Sequence, residues 1–298
     1  MTISRPVIHD PALVLATLGD FPDARITPIT GGIDALMWRV DSGNQTFALR
    51  LLRADQHKQA QREAAMSVWA PRHGFPVPAV VTSSVWNDRP VALIEWAAGR
   101  QVAEEVLIAS DPVAAARQFG EACGRMQARI HGAPLPSDPV VTERVWQRWS
   151  STDPELAARL LAQPAKASCV IHLDFHPLNI LGHRGEITAV LDWANVHIGD
   201  PRADLARTQA LLQLAPLPQP EAAVLIRLFE QAWQAGYEAT AGWFDIPPMY
   251  RWWAGETITR TLEGKIGDPA APWLDETQIN RIRQWVDTAR AIVGGEIE

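Results

Sequence analysis

A change of sequence pattern near residues 96–99 limits the folds that this chain can adopt. Before it, short apolar segments of alternating character are separated by turn residues, which is typical of β-strands. These segments are residues 24–30, 37–41, 46–52, 79–86 and 90–96, with one amphipathic helical segment, 56–69, among them. Because strands joined by short turns pair antiparallel, we predict a small antiparallel sheet with a single helix.

Beyond Gly99 the pattern is helical. Asp-Pro pairs lie at 111–112, 153–154 and 200–201. Each pair combines an N-cap residue with a proline suited to the first helical turn. Further helices are predicted over 221–235 and 275–293, and short β-like segments over 169–173 and 186–193. We therefore expect an α+β protein with a sheet-containing N-lobe, residues 1–95, and a mainly helical C-lobe, residues 96–298.

Charge and cysteine content restrict the partners and the compartment. With 27 Lys and Arg against 34 Asp and Glu, the net charge is −7, which argues against nucleic acid and anionic membranes as partners. Two cysteines, Cys123 and Cys169, cannot form a disulfide framework. No apolar segment approaches the roughly 18 residues of a membrane helix, and residues 1–13 lack the apolar core of a signal peptide. We expect a cytoplasmic protein with a small-molecule partner; the sequence carries no signal for its oligomeric state.

The segment HLDFHPLNIL, residues 172–181, has the pattern H-x-D-x-x-x-x-N. It places Asp174 and Asn179 five residues apart, and Asp192 ends the apolar segment that follows. One Asp on such a loop can be directed at an incoming hydroxyl group, while the Asn and the second Asp bind metal. Phosphoryl transfer requires little more than a positioned nucleophile and cations on the phosphates.

These residues resemble a known family. HLDFHPLNIL resembles the HGDLHPGNIL loop of the aminoglycoside phosphotransferase family, the choline-kinase-like small-molecule kinases, and VLDWANVHIGDPRADLA resembles its IDW…GDPxxDLA segment. The resemblance extends over the whole chain. It implies a bilobal protein-kinase-like fold. It also implies Mg²⁺-dependent transfer of the γ-phosphoryl group of ATP or GTP to a hydroxyl group of a small molecule.

The resemblance implies roles for six C-lobe residues. Asp174 matches the catalytic Asp that orients or accepts a proton from the acceptor hydroxyl, and Asn179 and Asp192 match the Mg²⁺ ligands. The residues that would support the loop are His172, His176 and Asp204. Asp200 is read more simply as the N-cap of the following helix.

In the N-lobe, Gly31 and Gly32 fall where a nucleotide-covering loop is expected, since glycine lets backbone N–H groups approach phosphate. Arg50 stands where a kinase carries the lysine of V-A-I-K, and Glu63 matches its acidic partner. The hinge expected to bind adenine includes Glu95 and Ala97. Three residues depart from the usual pattern: Arg50 replaces Lys, and Leu173 and Leu178 replace Gly.

Two other functions remain open. The residues His172, Asp174 and His176 also fit an H-x-D-x-H metal site of a hydrolase, although Asn179 and Asp192 then have no role. The second alternative is a catalytically weak or inactive kinase-fold protein that binds a nucleotide or another ligand. The Arg50 replacement is its only support.

The acceptor side is the least specified part of the sequence. The C-lobe is rich in tryptophan, and Trp252, Trp253 and Glu256 could form an aromatic and acidic wall for a cationic amine or a sugar face. Helix packing is the alternative role of these tryptophans. The family covers antibiotics and metabolites, and the motifs do not separate the two.

Overall fold

The computed structural model describes residues 10–29, 35–142, 145–151, 153–215, 220–263, 265–267 and 274–295. It contains the sheet-rich and helical lobes that the sequence predicts. Gly31 and Gly32 lie outside the described residues.

The N-lobe is built on a five-stranded antiparallel sheet with the order β1-β2-β3-β5-β4. Its strands are β1 (Arg25–Ile29), β2 (Leu36–Ser42), β3 (Gln45–Leu51), β4 (Val80–Trp86) and β5 (Arg89–Glu95). A short helix, α1 (Pro11–Ala16), packs Val14 and Leu15 against the apolar side chains of this sheet. The central strand β3 therefore carries Arg50 between β2 and β5, in pairing with Met37 and Ala92.

Helix α2 (His57–Arg72) joins the two lobes. Its buried residues Met66, Trp69 and Ala70 belong to the large hydrophobic core of the C-lobe, not to the smaller core under α1. Burial of this apolar stripe fixes α2 to the C-lobe, because the removal of apolar area from water is the main stabilising contribution in such contacts.

The C-lobe combines helices with short strands. Its helices are α3 (Val102–Ile108), α4 (Pro112–His131), α5 (Pro139–Thr142), α6 (Pro154–Leu161), α7 (Pro201–Gln213), α8 (Pro220–Ala241), α9 (Pro248–Glu263) and α10 (Glu276–Gly294). Its strands are β6 (Arg100–Gln101), β7 (Cys169–Ile171), β8 (Ile180–His183), β9 (Glu186–Val190) and β10 (His197–Gly199). Two 3-10 turns lie at Trp146–Ser151 and Trp193–Asn195. Strands β6, β8 and β9 form one small sheet, and β7 pairs with β10.

The three predicted Asp-Pro helix starts are confirmed. Asp111, Asp153 and Asp200 each accept a hydrogen bond from a backbone N–H in the first turn of α4, α6 and α7. The predicted strand over 186–193 is too long, because β9 ends at Val190 and Asp192 has a left-handed backbone, φ 58°. The chain thus turns sharply at Asp192.

Helices α4 and α8 approach each other closely at three glycines, where backbone contacts backbone. A Cβ atom added at Gly124 would lie 2.0 Å from the carbonyl oxygen of Trp233, and one at Gly120 would lie 2.4 Å from that of Phe229. On the facing helix, a Cβ atom at Gly236 would lie 2.3 Å from the carbonyl oxygen of Glu121. No other residue fits at these distances, so glycine sets how closely the two helices approach. Within the described residues, no helix has the length and apolarity needed to cross a membrane.

Candidate active site

The loop 172–179 connects β7 to β8, so a strand fixes each of its ends. His172 is completely buried. Its Nδ1 accepts a hydrogen bond from the backbone N–H of Asp174 (3.2 Å), which places the ring hydrogen on Nε2, the donor to the carbonyl oxygen of Leu191 (3.0 Å). Burial lowers the pKa of His172, which favours the neutral ring. His172 thereby joins the loop to the segment that carries Asp192.

This arrangement excludes His172 as a metal ligand, since both ring nitrogens are engaged and the ring has no access to solvent. The H-x-D-x-H interpretation loses its first ligand. Among the residues that the structure describes, no three His, Cys, Asp or Glu side chains are grouped as a metal site. The hydrolase alternative is therefore wrong in its ligand set.

Asp174 lies in a largely buried, positively charged environment. Its Oδ2 accepts a hydrogen bond from Nδ2 of Asn179 (2.9 Å), and its Oδ1 lies 3.6 Å from Nε2 of His176 and 3.9 Å from Nη2 of Arg207. Burial alone would raise the pKa of this carboxyl, but His176 and Arg207 outweigh that effect and hold its pKa well below the ordinary range. Asp174 is therefore ionised at neutral pH and can accept a proton or a hydrogen bond.

Asn179 and Asp192 offer oxygen atoms to a hard cation. The Asn179 amide nitrogen donates to both the carboxylate and the backbone carbonyl of Asp174 (2.9 and 3.1 Å). Both partners are acceptors, so the amide oxygen must point away from them. The Asp192 side chain is 33% exposed. An amide oxygen and a carboxylate are the donors that Mg²⁺ takes from proteins, with phosphate and water completing its coordination, so these residues fit that ion.

Arg50 and Glu63 form a buried ion pair between β3 and α2, with each side chain only 11% exposed. Arg50 Nη1 contacts Glu63, and Nη2 lies 3.5 Å from Oδ2 of Asp192. Burial alone would lower the pKa of Arg50, but the two carboxylates raise it overall. The pair is thus not the solvent-exposed ion pair of little energetic value that its sequence alone also allows. It places a permanent cation beside the proposed metal ligand.

Arg62 holds the helix that carries Glu63. Its side chain is 2% exposed, and Nε donates to the carbonyl oxygen of Ala194 (2.7 Å), two residues after Asp192. The sequence interpretation did not identify Arg62, because a single Arg in an amphipathic helix is ordinarily a surface residue.

Asp204, on α7, supports the loop 172–179 through a hydrogen bond to its backbone. Its Oδ1 accepts a hydrogen bond from the backbone N–H of Leu173 (2.5 Å), and its Oδ2 accepts from Gln127 (3.0 Å) and contacts His131 (2.9 Å). Burial would raise its pKa, but these partners lower it overall. Leu173 is held in a left-handed conformation, φ 63°, at a position where the resembling loop has glycine.

The support continues into α8. Trp233 Nε1 donates to Oε1 of Gln127 (2.8 Å), and the hydroxyl group of Tyr237 lies 2.8 Å from Nδ1 of His131. Sequence reasoning missed Gln127 and His131, because no local motif marks two polar residues on the inner face of α4. The glycine contacts between α4 and α8 allow these hydrogen bonds to form.

The remaining predicted residues divide into two groups. Glu95 ends β5, where its N–H donates to the carbonyl oxygen of Ala79 (2.9 Å), and Ala97 follows in the connection between the lobes. Trp253 is completely buried against Trp146 and Trp149, and Trp252 is 8% exposed beneath Arg290. The expected aromatic wall is therefore wrong for both indoles, which are packing residues. Glu256 is partly exposed and pairs with Arg260 on its own helix.

Residues 25–243 match the model of the phosphotransferase enzyme family, APH, which is 219 of the 298 residues. The chain belongs to this family. A sequence comparison with curated proteins gives no match. Family membership identifies the protein as a small-molecule kinase of the aminoglycoside phosphotransferase type.

Solved structures of APH proteins share its fold. The amicoumacin kinase hAmiN, in complex with AMP-PNP, Ca²⁺ and Ami, superposes with a TM-score of 0.68 at 17% identity, covering 94% of this chain and 93% of its own. A thermostable mutant of APH(4)-Ia with AMP-PNP and hygromycin B gives 0.65 at 15% identity, covering 93% and 97%. Aminoglycoside-3′-phosphotransferase of type VIII gives 0.65 at 19% identity, covering 83% and 98%. The predicted bilobal kinase-like α+β fold is confirmed.

Proposed function

We propose that this APH protein transfers the γ-phosphoryl group of ATP or GTP to a hydroxyl group of a small molecule in a Mg²⁺-dependent reaction. One observation carries the proposal: Asp174 contacts Asn179, Arg50 contacts Asp192, and the N–H of Leu191 donates to the carbonyl oxygen of Asn179 (2.8 Å), which joins the two pairs. An ionised carboxylate, two oxygen ligands and a cation are the groups that phosphoryl transfer uses.

Asp174 orients the acceptor. Its ionised carboxylate accepts a hydrogen bond from the acceptor hydroxyl and holds the oxygen in line with the γ-phosphorus. As the new O–P bond forms, the hydroxyl proton passes to Asp174. The bond from the γ-phosphorus to the bridging oxygen breaks, and ADP or GDP leaves with the bonding electrons. Asn179 fixes the orientation of the carboxylate through its 2.9 Å hydrogen bond.

Asn179 and Asp192 would hold Mg²⁺ through their side-chain oxygens, and the ion would offset the negative charge that develops on the phosphates. Arg50 supplies a second positive charge from the N-lobe side. Glu63 keeps the guanidinium group of Arg50 beside Asp192. The AMP-PNP present in the hAmiN and APH(4)-Ia structures supports nucleotide binding by this chain, and the nucleotide would lie between the lobes. Gly31 and Gly32 would cover its phosphates, and the backbone of Glu95 and Ala97 would bind its base.

The acceptor would be a hydroxylated small molecule, either cationic or sugar-like. The acidic composition and the hygromycin B bound by APH(4)-Ia support this class. With Trp252 and Trp253 buried, Glu256 is the one residue of the three proposed for the acceptor wall that retains partial exposure.

Calorimetric titration with ATP and with GTP, with and without Mg²⁺, tests the nucleotide site directly. We expect Mg²⁺-dependent binding by the wild-type chain, nearly equal binding by Asp174→Asn and much weaker binding by Asp192→Asn. Phosphorylation of a panel of amine, sugar and antibiotic hydroxyls then tests transfer, which Asp174→Asn should abolish. Asp287→Asn, at an exposed position of α10, is the matched control.

Two results would contradict the proposal. If the wild-type chain does not bind nucleotide, or binds it equally well without Mg²⁺, the proposed metal site at Asn179 and Asp192 is contradicted. Unchanged turnover in Asp174→Asn would contradict the catalytic role of that carboxylate. Nucleotide binding by the wild-type chain without turnover of any acceptor would favour the kinase-fold binding protein.

A further inference from the structure

Arg207 is a buried cation that no motif of the sequence identified. It lies on α7, three residues after Asp204, and is 5% exposed. Burial lowers the pKa of its guanidinium group to about 10, so the group remains charged at neutral pH. A charge in this environment needs partners on every side to be stable.

Four groups surround the guanidinium plane. Its Nε donates to the carbonyl oxygen of Leu173 (3.1 Å), and Nη1 donates to the hydroxyl oxygen of Thr257 on α9 (3.2 Å). Its Nη2 lies 3.9 Å from Oδ1 of Asp174. The indole ring of Trp149 lies against the plane, with its centre 4.9 Å from the guanidinium carbon. Only a planar fork with several donors can make these contacts together.

Arg207 and Asp204 hold the same peptide from two directions. Asp204 accepts from the N–H of Leu173, and Arg207 donates to its carbonyl oxygen. Residues three apart lie on the same face of a helix, so one face of α7 fixes both polar groups of a residue with φ 63°. The next residue is Asp174. The direction in which the Asp174 side chain leaves the backbone therefore follows from the position of α7.

We propose that Arg207 is a positioning residue for phosphoryl transfer: it holds the Leu173 carbonyl and orients the Asp174 carboxylate, while Thr257 and Trp149 hold Arg207. This inference rests on the proposed function, because it assigns Arg207 a part in that reaction. It predicts that changes at Arg207 reduce kcat and leave nucleotide binding unchanged. A residue that only stabilises the fold would lower both stability and binding.

The test uses MgATP hydrolysis, with water as the acceptor, together with calorimetric MgATP binding and thermal unfolding. We expect Arg207→Met to lose about 100-fold in kcat, the loss expected when a reacting group is displaced by about 1 Å. Arg207→Lys keeps the charge but not the fork, so we expect a smaller loss, about 10-fold. The KM and Kd for MgATP should stay within about twofold of wild type. The exposed Arg125→Met, paired with Glu121 on the surface of α4, is the control.

Thr257→Val keeps the proposal testable if Arg207 variants do not fold. It preserves side-chain volume but removes the acceptor of Nη1, together with the hydrogen bond that the hydroxyl donates to the Ala254 carbonyl oxygen of its own helix. We expect a severalfold loss of kcat with unchanged MgATP affinity. Thr259→Val, whose hydroxyl donates to a carbonyl of its own helix, should match the wild type. Equal kcat in Thr257→Val and Thr259→Val would overturn the positioning role.

A crystal structure of Arg207→Lys separates this inference from the proposed function. We expect the Asp174–Asn179 contact to lengthen beyond hydrogen-bond distance, a result that needs no activity. An unchanged 2.9 Å contact would overturn the role of Arg207. Wild-type protein without Mg²⁺-dependent nucleotide binding would instead refute the proposed function, whatever the position of Asp174.

Discussion

Leu173 offers a quantitative test of the loop geometry. It is completely buried and has a left-handed backbone, φ 63°, which costs a residue with a Cβ atom about 1–2 kcal/mol. Truncation to alanine removes the buried side chain at a cost of about 2–5 kcal/mol and leaves the backbone cost in place. Truncation to glycine removes slightly more volume but also removes the backbone cost.

Leu205 provides the reference position. It is equally buried but lies within α7, where glycine is about 0.8–1.0 kcal/mol less favourable than alanine. At both positions the glycine variant differs from the alanine variant by the loss of one methyl group and by the greater conformational freedom of glycine in the unfolded chain. The difference between the glycine and alanine variants at position 173, minus that at position 205, should therefore equal the left-handed cost. We expect this double difference to be about 1–2 kcal/mol. Leu173→Gly should then be about 0–1 kcal/mol more stable than Leu173→Ala, whereas Leu205→Gly should be about 1 kcal/mol less stable than Leu205→Ala.

Urea-induced unfolding, followed by fluorescence of the 13 tryptophans, measures the four variants. All four should share one m-value, since the surface exposed on unfolding is nearly constant. Equal differences between glycine and alanine at the two positions would mean that Leu173 is not left-handed. The two hydrogen bonds that Leu173 makes with Asp204 and Arg207 would then not hold its peptide in the described conformation.

Three further predictions follow from other parts of the structure. Gly124→Ala places a Cβ atom 2.0 Å from a backbone oxygen of α8 and should destabilise the protein by about 1–3 kcal/mol or more; Gly132→Ala, whose nearest contact is 3.5 Å, should be within about 0.5 kcal/mol of wild type in urea unfolding. The pKa of His172 is lowered in the folded chain. Below pH about 6.5 the unfolded chain therefore binds a proton at this histidine that the folded chain does not bind, and the free energy of unfolding should decrease as the pH falls below that value. His172→Gln should show a smaller decrease in urea midpoint between pH 7.5 and 5.5. Arg50→Lys should retain calorimetric MgATP affinity within about tenfold and Arg50→Met should lose more; equal affinities in the two variants would contradict the role of the positive charge.

The sheet and the helix starts were predictable because they depend on local signals. Alternating apolar residues and turn residues predicted all five strands of the N-lobe sheet to within a few residues, and Asp-Pro pairs predicted three helix starts. Helix α2 was expected to end at Trp69 but continues to Arg72, with Pro71 in its last turn. Strand β8 was not predicted, because four residues between a loop and a turn give no periodicity to measure.

The site was predictable only where a motif carries it. The spacing of Asp174, Asn179 and Asp192 predicts that they act together; in the structure Asn179 contacts Asp174, and the N–H of Leu191, beside Asp192, donates to the carbonyl oxygen of Asn179. Arg207 contacts Asp174 and Arg62 contacts Ala194, close to Asp192, yet each of these arginines is distinguished only by its burial against another element. Burial against distant elements has no local sequence pattern, and the same property explains the opposite error at Trp253, where an aromatic residue expected at a ligand is a packing residue.

The glycine contacts between α4 and α8 limit how this enzyme can acquire new acceptors. Trp233 and Tyr237 reach Asp204 through Gln127 and His131. We therefore expect a substitution on the inner face of α8 to alter the loop 172–179 through these hydrogen bonds. In a library selected for activity on a new compound, we expect surviving changes to be rare on that face. They should instead accumulate on the partly exposed side of α9, where Glu256 lies. The capacity of the fold to evolve thus resides in a small part of the helical lobe.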